Sequence, residues 1–212
     1  MGQVNLGTCY AEGIHVPADA IEAVKWYRKA AEQNEPMGQV NLGMCYEKGI
    51  GLPQDDLKAI ELYRLSAEQG LAMAQYNLAL HYEHGNDKEK IEAIALYQQA
   101  ADQGLADAQY KLGSLCLKKG ESSNEEKIEA EKWFYKAAMQ NHAWAQYMLG
   151  FLFQNSIDRK NEAIEWYHKA SNQGLPIAQN RLGYCFEKGI GVSQDEVEAV
   201  RCSPKTGQLD KV

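Results

Sequence analysis

Histidines and carboxylates are the side chains of this 212-residue chain that could hold a metal ion or move a proton. His81 and His84 are spaced i, i+3, so a helix would place them on one side, where they could share a metal. No third ligand stands at a suitable spacing, and Glu125 and Glu126 are expected in a polar, solvated loop. A partly buried His81 is therefore the stronger hypothesis, and no metal site is predicted.

The cysteines show no pattern of a metal or redox site. No two of them form C-x-x-C, and their odd number does not suggest a set of disulfides. They are expected to be buried thiols in a reducing compartment: Cys9, Cys45, Cys116, Cys185 and Cys202. The chain also lacks the G-x-S-x-G, P-loop and dinucleotide-binding fingerprints. The sequence therefore predicts neither a cofactor nor an enzyme.

Charge and hydropathy argue against two further classes of function. Lys and Arg total 22 against 29 for Asp and Glu, a net charge of -7, and no basic stripe offers itself to a nucleic acid. No apolar run approaches the roughly 18 residues that would span a bilayer. No basic stretch followed by an apolar core marks a signal peptide. We expect a cytoplasmic protein that inserts into no membrane, unless a targeting segment is missing upstream.

The elements that must position any functional residue are visible as a repeat. The motif Q-x-x-L-G recurs at intervals of 33 to 37 residues, starting at Gln3, Gln39, Gln75, Gln109, Gln146 and Gln179, with Ala79 replacing the glycine in the third repeat. A second motif, A-V-K-W-Y-R-K-A-A-E-Q-N in the first repeat, follows each of the first five copies. Each period thus holds two amphipathic segments, helix A and helix B. Neither helix can bury its apolar stripe alone, so helix pairs must stack.

Glycine in the middle of helix A costs about 1 kcal/mol against alanine, so its recurrence indicates the close approach of a neighbouring helix. The expected neighbour is the aromatic residue of helix B, such as Tyr27 or Tyr63. Asp19, Asp55 and Asp195 are the expected N-caps of helix B. Gly and Asn alone occupy the slot after helix B, which predicts a left-handed residue there. These residues are Asn34, Gly70, Gly104, Asn141 and Gly174.

These motifs resemble the Sel-1-like repeat (SLR) family, a relative of the tetratricopeptide repeat (TPR). The family pattern runs from A-x-A-Q-x-x-L-G-x-x-Y to W-Y-x-K-A-A-E-Q-G, and residues 37–70 match nearly all of it. The resemblance covers about residues 1–202. It implies an all-α fold, a right-handed superhelical solenoid of antiparallel helix pairs. It also implies a non-catalytic scaffold or adaptor that holds other proteins in complexes.

The repeats predict one solenoid domain, residues 1–202, followed by a polar tail, residues 203–212. The predicted repeats are 1–34, 35–70, 71–104, 105–141, 142–174 and 175–202. Helix B of the last repeat is expected to be truncated. Cys202 and Ser203 stand where W-Y is expected there, and Pro204, which a helix interior rejects, follows.

Candidate binding residues lie at the outward slots of helix A. Counted from the Leu of Q-x-x-L-G at about 100° per residue, slots -2 and +2 point away from the packed face. From the third repeat onward these slots are largely apolar, with Tyr76, Leu80, Tyr110, Tyr147, Phe151 and Tyr184. One interpretation is an apolar stripe in a concave groove that docks a peptide or helix. The other is packing in the seam between neighbouring A helices.

Slot -1 offers polar contacts to the same partner. Asn41 and Asn77, like Asn5, could donate to and accept from an extended peptide backbone. Lys111 and Arg181 would favour an acidic stretch in the partner, and a solvated flank is the alternative. Two functions remain open at this point. One is a scaffold that binds a protein or peptide, and the other is a structural protein that self-associates by stacking its end repeats.

Overall fold

The computed structural model describes residues 2–117 and 123–202, and within these residues the chain is all-α, with no strand. The helices are α1 Gly2–Glu12, α2 Ala20–Glu32, α3 Pro36–Lys48, α4 Asp56–Glu68, α5 Ala72–Tyr82, α6 Asp87–Asp102, α7 Ala106–Cys116, α8 Asn124–Met139, α9 Ala143–Phe153, α10 Lys160–Asn172, α11 Pro176–Lys188 and α12 Glu196–Cys202. Odd-numbered helices are helix A of their repeat, and even-numbered helices are helix B. The predicted tail, residues 203–212, and Pro204 within it lie outside the described residues.

The chain forms two compact units, residues 1–108 and 109–212. In unit 1, α1 packs on α2, α2 on α3, and so on in sequence order to α6. In unit 2, consecutive helices pack in the same way from α8 to α12. The prediction of a single domain over residues 1–202 stays a prediction. Among the helices described, none combines the length and the apolar character needed to cross a membrane.

The predicted contact between the helix A glycine and the helix B aromatic is confirmed. A Cβ atom built on Gly43 would lie 2.7 Å from Cε1 of Tyr63, and one built on Gly150 would lie 2.6 Å from Cδ1 of Tyr167. Both rings are completely buried. The same contact joins Gly7 to Tyr27 and Gly113 to Phe134. Helix A therefore gives up helix propensity at this slot because the aromatic ring of helix B occupies the space of a side chain.

Helix ends follow the predicted caps. The Asp19 carboxylate accepts from the backbone N–H groups of the first turn of α2, and Asp55 and Asp195 do the same for α4 and α12. The residues after helix B have φ between 58° and 92°, at Asn34, Gly70, Gly104, Asn141 and Gly174. The predicted loop around Glu125 and Glu126 is wrong. Both lie in the first turn of α8, because Glu126 completes a capping box with the N-cap residue of that helix and acidic groups are favoured at helix N-termini.

All five thiols are free, and two are buried. Burial raises the pKa of the Cys45 and Cys185 thiols, so both are poor nucleophiles at neutral pH. Cys9, Cys116 and Cys202 are only partly buried, so the expectation of five buried thiols is wrong for these three. Cys116 and Cys202 are the last residues of α7 and α12, where packing covers less of each side chain.

Candidate functional site

The aromatic residues of slot -2 turn toward helix B of their own repeat. The ring centroid of Tyr147 lies 5.7 Å from that of Tyr167, and Tyr147 is only 7% exposed. Tyr76 makes the equivalent contact with Tyr97, also at 5.7 Å, and is half-buried. These contacts favour the packing interpretation for slot -2.

Tyr110 follows the same rule in the first repeat of unit 2. Its ring lies 5.8 Å from Phe134 and stacks on His142 at 4.9 Å between centroids. The Tyr110 side chain is half-buried. Tyr110 therefore packs against helix B of its own repeat, and part of its side chain remains exposed.

Slot +2 is exposed in the last two repeats. Phe151 on α9 is 41% exposed and Tyr184 on α11 is 45% exposed. Leu80, at the same slot on α5 in unit 1, is half-buried. Two of the predicted binding residues of unit 2 are thus large, apolar and open to solvent.

Two further exposed residues of unit 2 were not predicted from the sequence. Trp144 is 46% exposed and Ile177 is 40% exposed. Each precedes an exposed aromatic, Phe151 or Tyr184, by seven residues on the same helix. Seven residues are almost two full turns, so each pair lies on one side of its helix, about 10 Å apart along the axis.

One half-buried residue lies between the two members of each pair, four residues after the first member. It is Met148 on α9 and Arg181 on α11. Equivalent slots of two consecutive repeats therefore carry similar side chains, and we call these two helix sides together the α9–α11 face. It consists of Trp144, Met148, Phe151, Ile177, Arg181 and Tyr184. The Trp144 indole is nearly perpendicular to the ring of the buried Tyr147, with 6.3 Å between ring centroids.

Arg181 is the charged member of the α9–α11 face. Among the residues that the structure describes, no carboxylate forms an ion pair with it. Burial raises the pKa of the Tyr167 hydroxyl and of the Cys185 thiol. The positive charge of Arg181 opposes both shifts, because it lies near these two groups. The other predicted cation, Lys111 on α7, is half-buried.

In unit 1 the corresponding surface is more polar. Asn41 and Asn77 are half-buried on α3 and α5, and Asn5 is exposed on α1. An open cleft of about 660 Å³ lies beside Asn5, lined by Val4, Asn5, Gln33, Glu35, Pro36, Met37 and Leu71. The amide of Asn5 therefore borders a space that could hold an extended segment.

Comparison with known proteins decides the family. The Sel1 repeat profile matches six segments of the chain, residues 1–35, 36–71, 72–105, 106–142, 145–175 and 176–203. The chain belongs to the Sel1 repeat family. The resemblance stated from the motifs is thereby confirmed, as is the all-α repeat fold. No curated protein matches the chain.

Solved structures of Sel1 repeat proteins share this fold. The chain is similar to c5321, a protective antigen of uropathogenic Escherichia coli strains displaying an SLR fold, with 34% identity and a TM-score of 0.84 over 94% of this chain. It spans only 44% of that protein. A Sel1 repeat protein from Oxalobacter formigenes is 27% identical, with a TM-score of 0.79 over 97% of this chain and 86% of the other.

A more distant structure is YrrB, described as a TPR protein with an unusual peptide-binding site. It is 19% identical, with a TM-score of 0.52 over 85% of this chain and 93% of YrrB, and the likeness shows the fold alone. Sel1 and TPR-like repeats generally mediate protein–protein interactions, and Sel1 repeat proteins are typically non-catalytic scaffolds.

Buried glutamines hold the Sel1 helices in register, and sequence reasoning missed them. Gln146 is 2% exposed, and its Oε1 accepts from Nε2 of Gln173, the C-cap residue of α10, at 2.7 Å. The same bond joins Gln33 to Gln3, Gln69 to Gln39, Gln103 to Gln75 and Gln140 to Gln109. The signal was present, because both repeated motifs carry an invariant Gln within this chain. In unit 2 the bond to Gln146 fixes α9, one of the two helices of the α9–α11 face.

Tyr63, Glu47 and His81 form a cluster of titratable side chains in unit 1, and their contacts serve packing. The Tyr63 hydroxyl donates to Glu47 at 2.8 Å, and burial together with this bond raises the pKa of Tyr63, which therefore stays a neutral donor. His81 is half-buried as predicted. Its Nε2 lies 3.4 Å from Glu47 but makes no hydrogen bond. Across residues 2–117 and 123–202, no three His, Cys, Asp or Glu side chains are grouped as a metal site.

Proposed function

We propose that this Sel1 repeat protein is a non-catalytic scaffold that binds a protein segment on the α9–α11 face. The observation that carries the proposal is the exposure of Trp144, Phe151, Ile177 and Tyr184, each between 40% and 46%. Aromatic and large aliphatic side chains gathered on one exposed surface are typical of protein interfaces. Packing explains the neighbouring slot -2 but leaves these four side chains in water.

The chemistry of the face specifies its partner. Two apolar anchors about 10 Å apart on each helix suit a segment with apolar residues at a similar spacing, such as residues i and i+7 of a helix. Within the described residues, Arg181 lies among these anchors without an ion-paired carboxylate. The partner is therefore a peptide or helix with two or three large apolar residues and an acidic residue among them.

The remaining predicted residues take secondary roles in this proposal. Tyr147 and Tyr110 support the A helices from below, and Lys111 adds positive charge in unit 2. In unit 1, Asn41 and Asn77 contribute amide groups to an extended backbone, beside the half-buried Tyr76 and Leu80. Taken separately, unit 2 offers apolar anchors to a partner segment, and unit 1 offers hydrogen bonds to an extended one.

Selection from a displayed peptide library tests the proposal. We expect the full chain to enrich peptides that combine large apolar residues with Asp or Glu. Trp144→Ala combined with Phe151→Ala should weaken binding of a selected peptide at least tenfold, the loss typical of a central interface anchor. Arg181→Glu should shift the selected peptides from acidic to basic.

Met73→Ala is the matched control, because Met73 is 39% exposed on α5 in unit 1, at the slot that Trp144 occupies on α9. It should leave the affinity of the selected peptide unchanged. Thermal unfolding should show that the exposed substitutions in unit 2 preserve the fold. Unchanged affinity in the Trp144→Ala, Phe151→Ala variant, or an unchanged peptide preference in Arg181→Glu, would rule out this face.

A further inference from the structure

Three of the loops that join helix A to helix B have the same length and backbone path, residues 13–19, 49–55 and 189–195. In each loop the second residue, such as Ile14 or Ile50, donates its backbone N–H to the carbonyl of a cysteine in helix A, at 2.9 to 3.0 Å. The third residue has a left-handed conformation in all three, with φ between 62° and 71°. That residue is Gly51 in repeat 2, Gly191 in repeat 6 and His15 in repeat 1.

Gly51 and Gly191 are pressed against the preceding repeat. A Cβ atom on Gly51 would lie 2.6 Å from the carbonyl carbon of Ala20, the first residue of α2. A Cβ atom on Gly191 would lie 2.7 Å from the carbonyl oxygen of Lys160, the first residue of α10. These separations are far below van der Waals contact, and the obstacle is backbone. A repeat with this loop therefore packs on its predecessor only if the third residue is glycine.

Repeat 1 breaks this requirement with an exposed His15 in an otherwise identical loop. We propose that His15 blocks another Sel1 helix pair from packing on repeat 1 in the geometry that repeats 2 and 6 use. The same obstacle meets a helix pair of the same chain and the last repeat of a second copy. His15 thus opposes end-to-end stacking through repeat 1, and it does so independently of the proposed binding face.

An extended chain tests the blockade directly. Residues 1–36 are duplicated in front of Met1, so that Pro36 of the added pair precedes Met1 as it precedes Met37 in the natural chain. In this chain the original His15 meets the first residue of the added helix B. Amide exchange of the added helices should be unprotected with His15 and slowed at least tenfold with His15→Gly. Equal protection in the two chains would overturn the proposal.

Two controls separate the packing effect from local strain. His15→Gly in the 212-residue chain measures any gain from relaxing a left-handed histidine, and it should leave exchange in α1 and α2 nearly unchanged. Gly51→His should place the same obstacle between repeats 1 and 2 and raise exchange in α1 and α2 at least tenfold. If Gly51→His leaves that exchange and the thermal unfolding temperature unchanged, the loop tolerates a side chain and the proposal fails.

Discussion

Replacement of Gln146 by methionine isolates the energy of the glutamine bonds that hold helix A. Methionine has the same unbranched length and nearly the same helix propensity, so backbone effects are small. The wild-type amide accepts from Gln173 at 2.7 Å and donates to the Ala138 carbonyl and to Asn141 Oδ1, each at 3.2 Å. The change removes all three bonds and retains the volume.

Gln146→Met is expected to lower the free energy of unfolding by about 2 kcal/mol. Each intramolecular hydrogen bond contributes about 1 kcal/mol net. Gln173 and Asn141 are exposed and can bond to water instead, and the Ala138 carbonyl keeps its backbone donors, so no buried partner is left unsatisfied. Burial of the apolar methionine side chain is favourable, so it offsets part of the energy of the three lost hydrogen bonds. The net loss of unfolding free energy is therefore about 2 kcal/mol.

Urea unfolding followed by circular dichroism measures this loss. With a slope of about 2 kcal/mol per molar urea, the midpoint should fall by about 1 M. Gln179→Met is the matched control, because Gln179 is half-buried and makes one bond, at 3.5 Å, to the Ser171 carbonyl. Its midpoint should move by no more than a quarter of that amount. A Gln146→Met midpoint that falls no further than the control's refutes the role assigned to the buried glutamines.

Three further predictions concern unit 1. Gly43→Ala should lower the unfolding free energy by about 1 kcal/mol in urea titrations, because crowding of the Tyr63 ring outweighs the gain in helix propensity. His81→Leu should raise the thermal midpoint, because it removes a buried Nε2 atom that has no hydrogen bond. Burial and the hydrogen bond to Glu83 raise the pKa of Tyr97 above 10, so its stabilisation is complete below pH 10 and lost as the pH rises further. Tyr97→Phe should therefore show a smaller loss of urea midpoint than the wild type between pH 9 and pH 11.5.

Helix positions and caps could be predicted because their causes are local. Asn34 and Asn141 were expected to be left-handed from the exchange of Asn and Gly at one slot, and their φ values of 58° and 66° agree. Glu125 and Glu126 were misplaced because a polar run is compatible with both a loop and a first helical turn. The capping box that decides between them depends on Ser123 and its geometry.

The α9–α11 face could be predicted only in part. Slots -2 and +2 are both opposite the packed face, yet Tyr147 is buried and Phe151 is exposed. The difference arises because slot -2 inclines toward helix B of its own repeat, where a buried aromatic receives it. Slot -5, which holds Trp144, lies within about 20° of slot +2 around the helix. Both slots therefore share the solvent side, and a full projection of helix A would have found Trp144 and Ile177.

The two units carry different side chains at slots -5 and +2 of helix A. Repeats 2 to 6 bury the same Leu of helix A, and a Gly faces the helix B aromatic in repeats 1, 2, 4 and 5, so packing accounts for what these repeats share. It does not require Trp144 and Phe151 in unit 2 where unit 1 has Met73 and Leu80. A packing role would hide these larger side chains, yet Trp144 and Phe151 remain more than 40% exposed. This difference supports the proposed function, in which a partner segment covers Trp144 and Phe151 and a carboxylate of that segment pairs with Arg181.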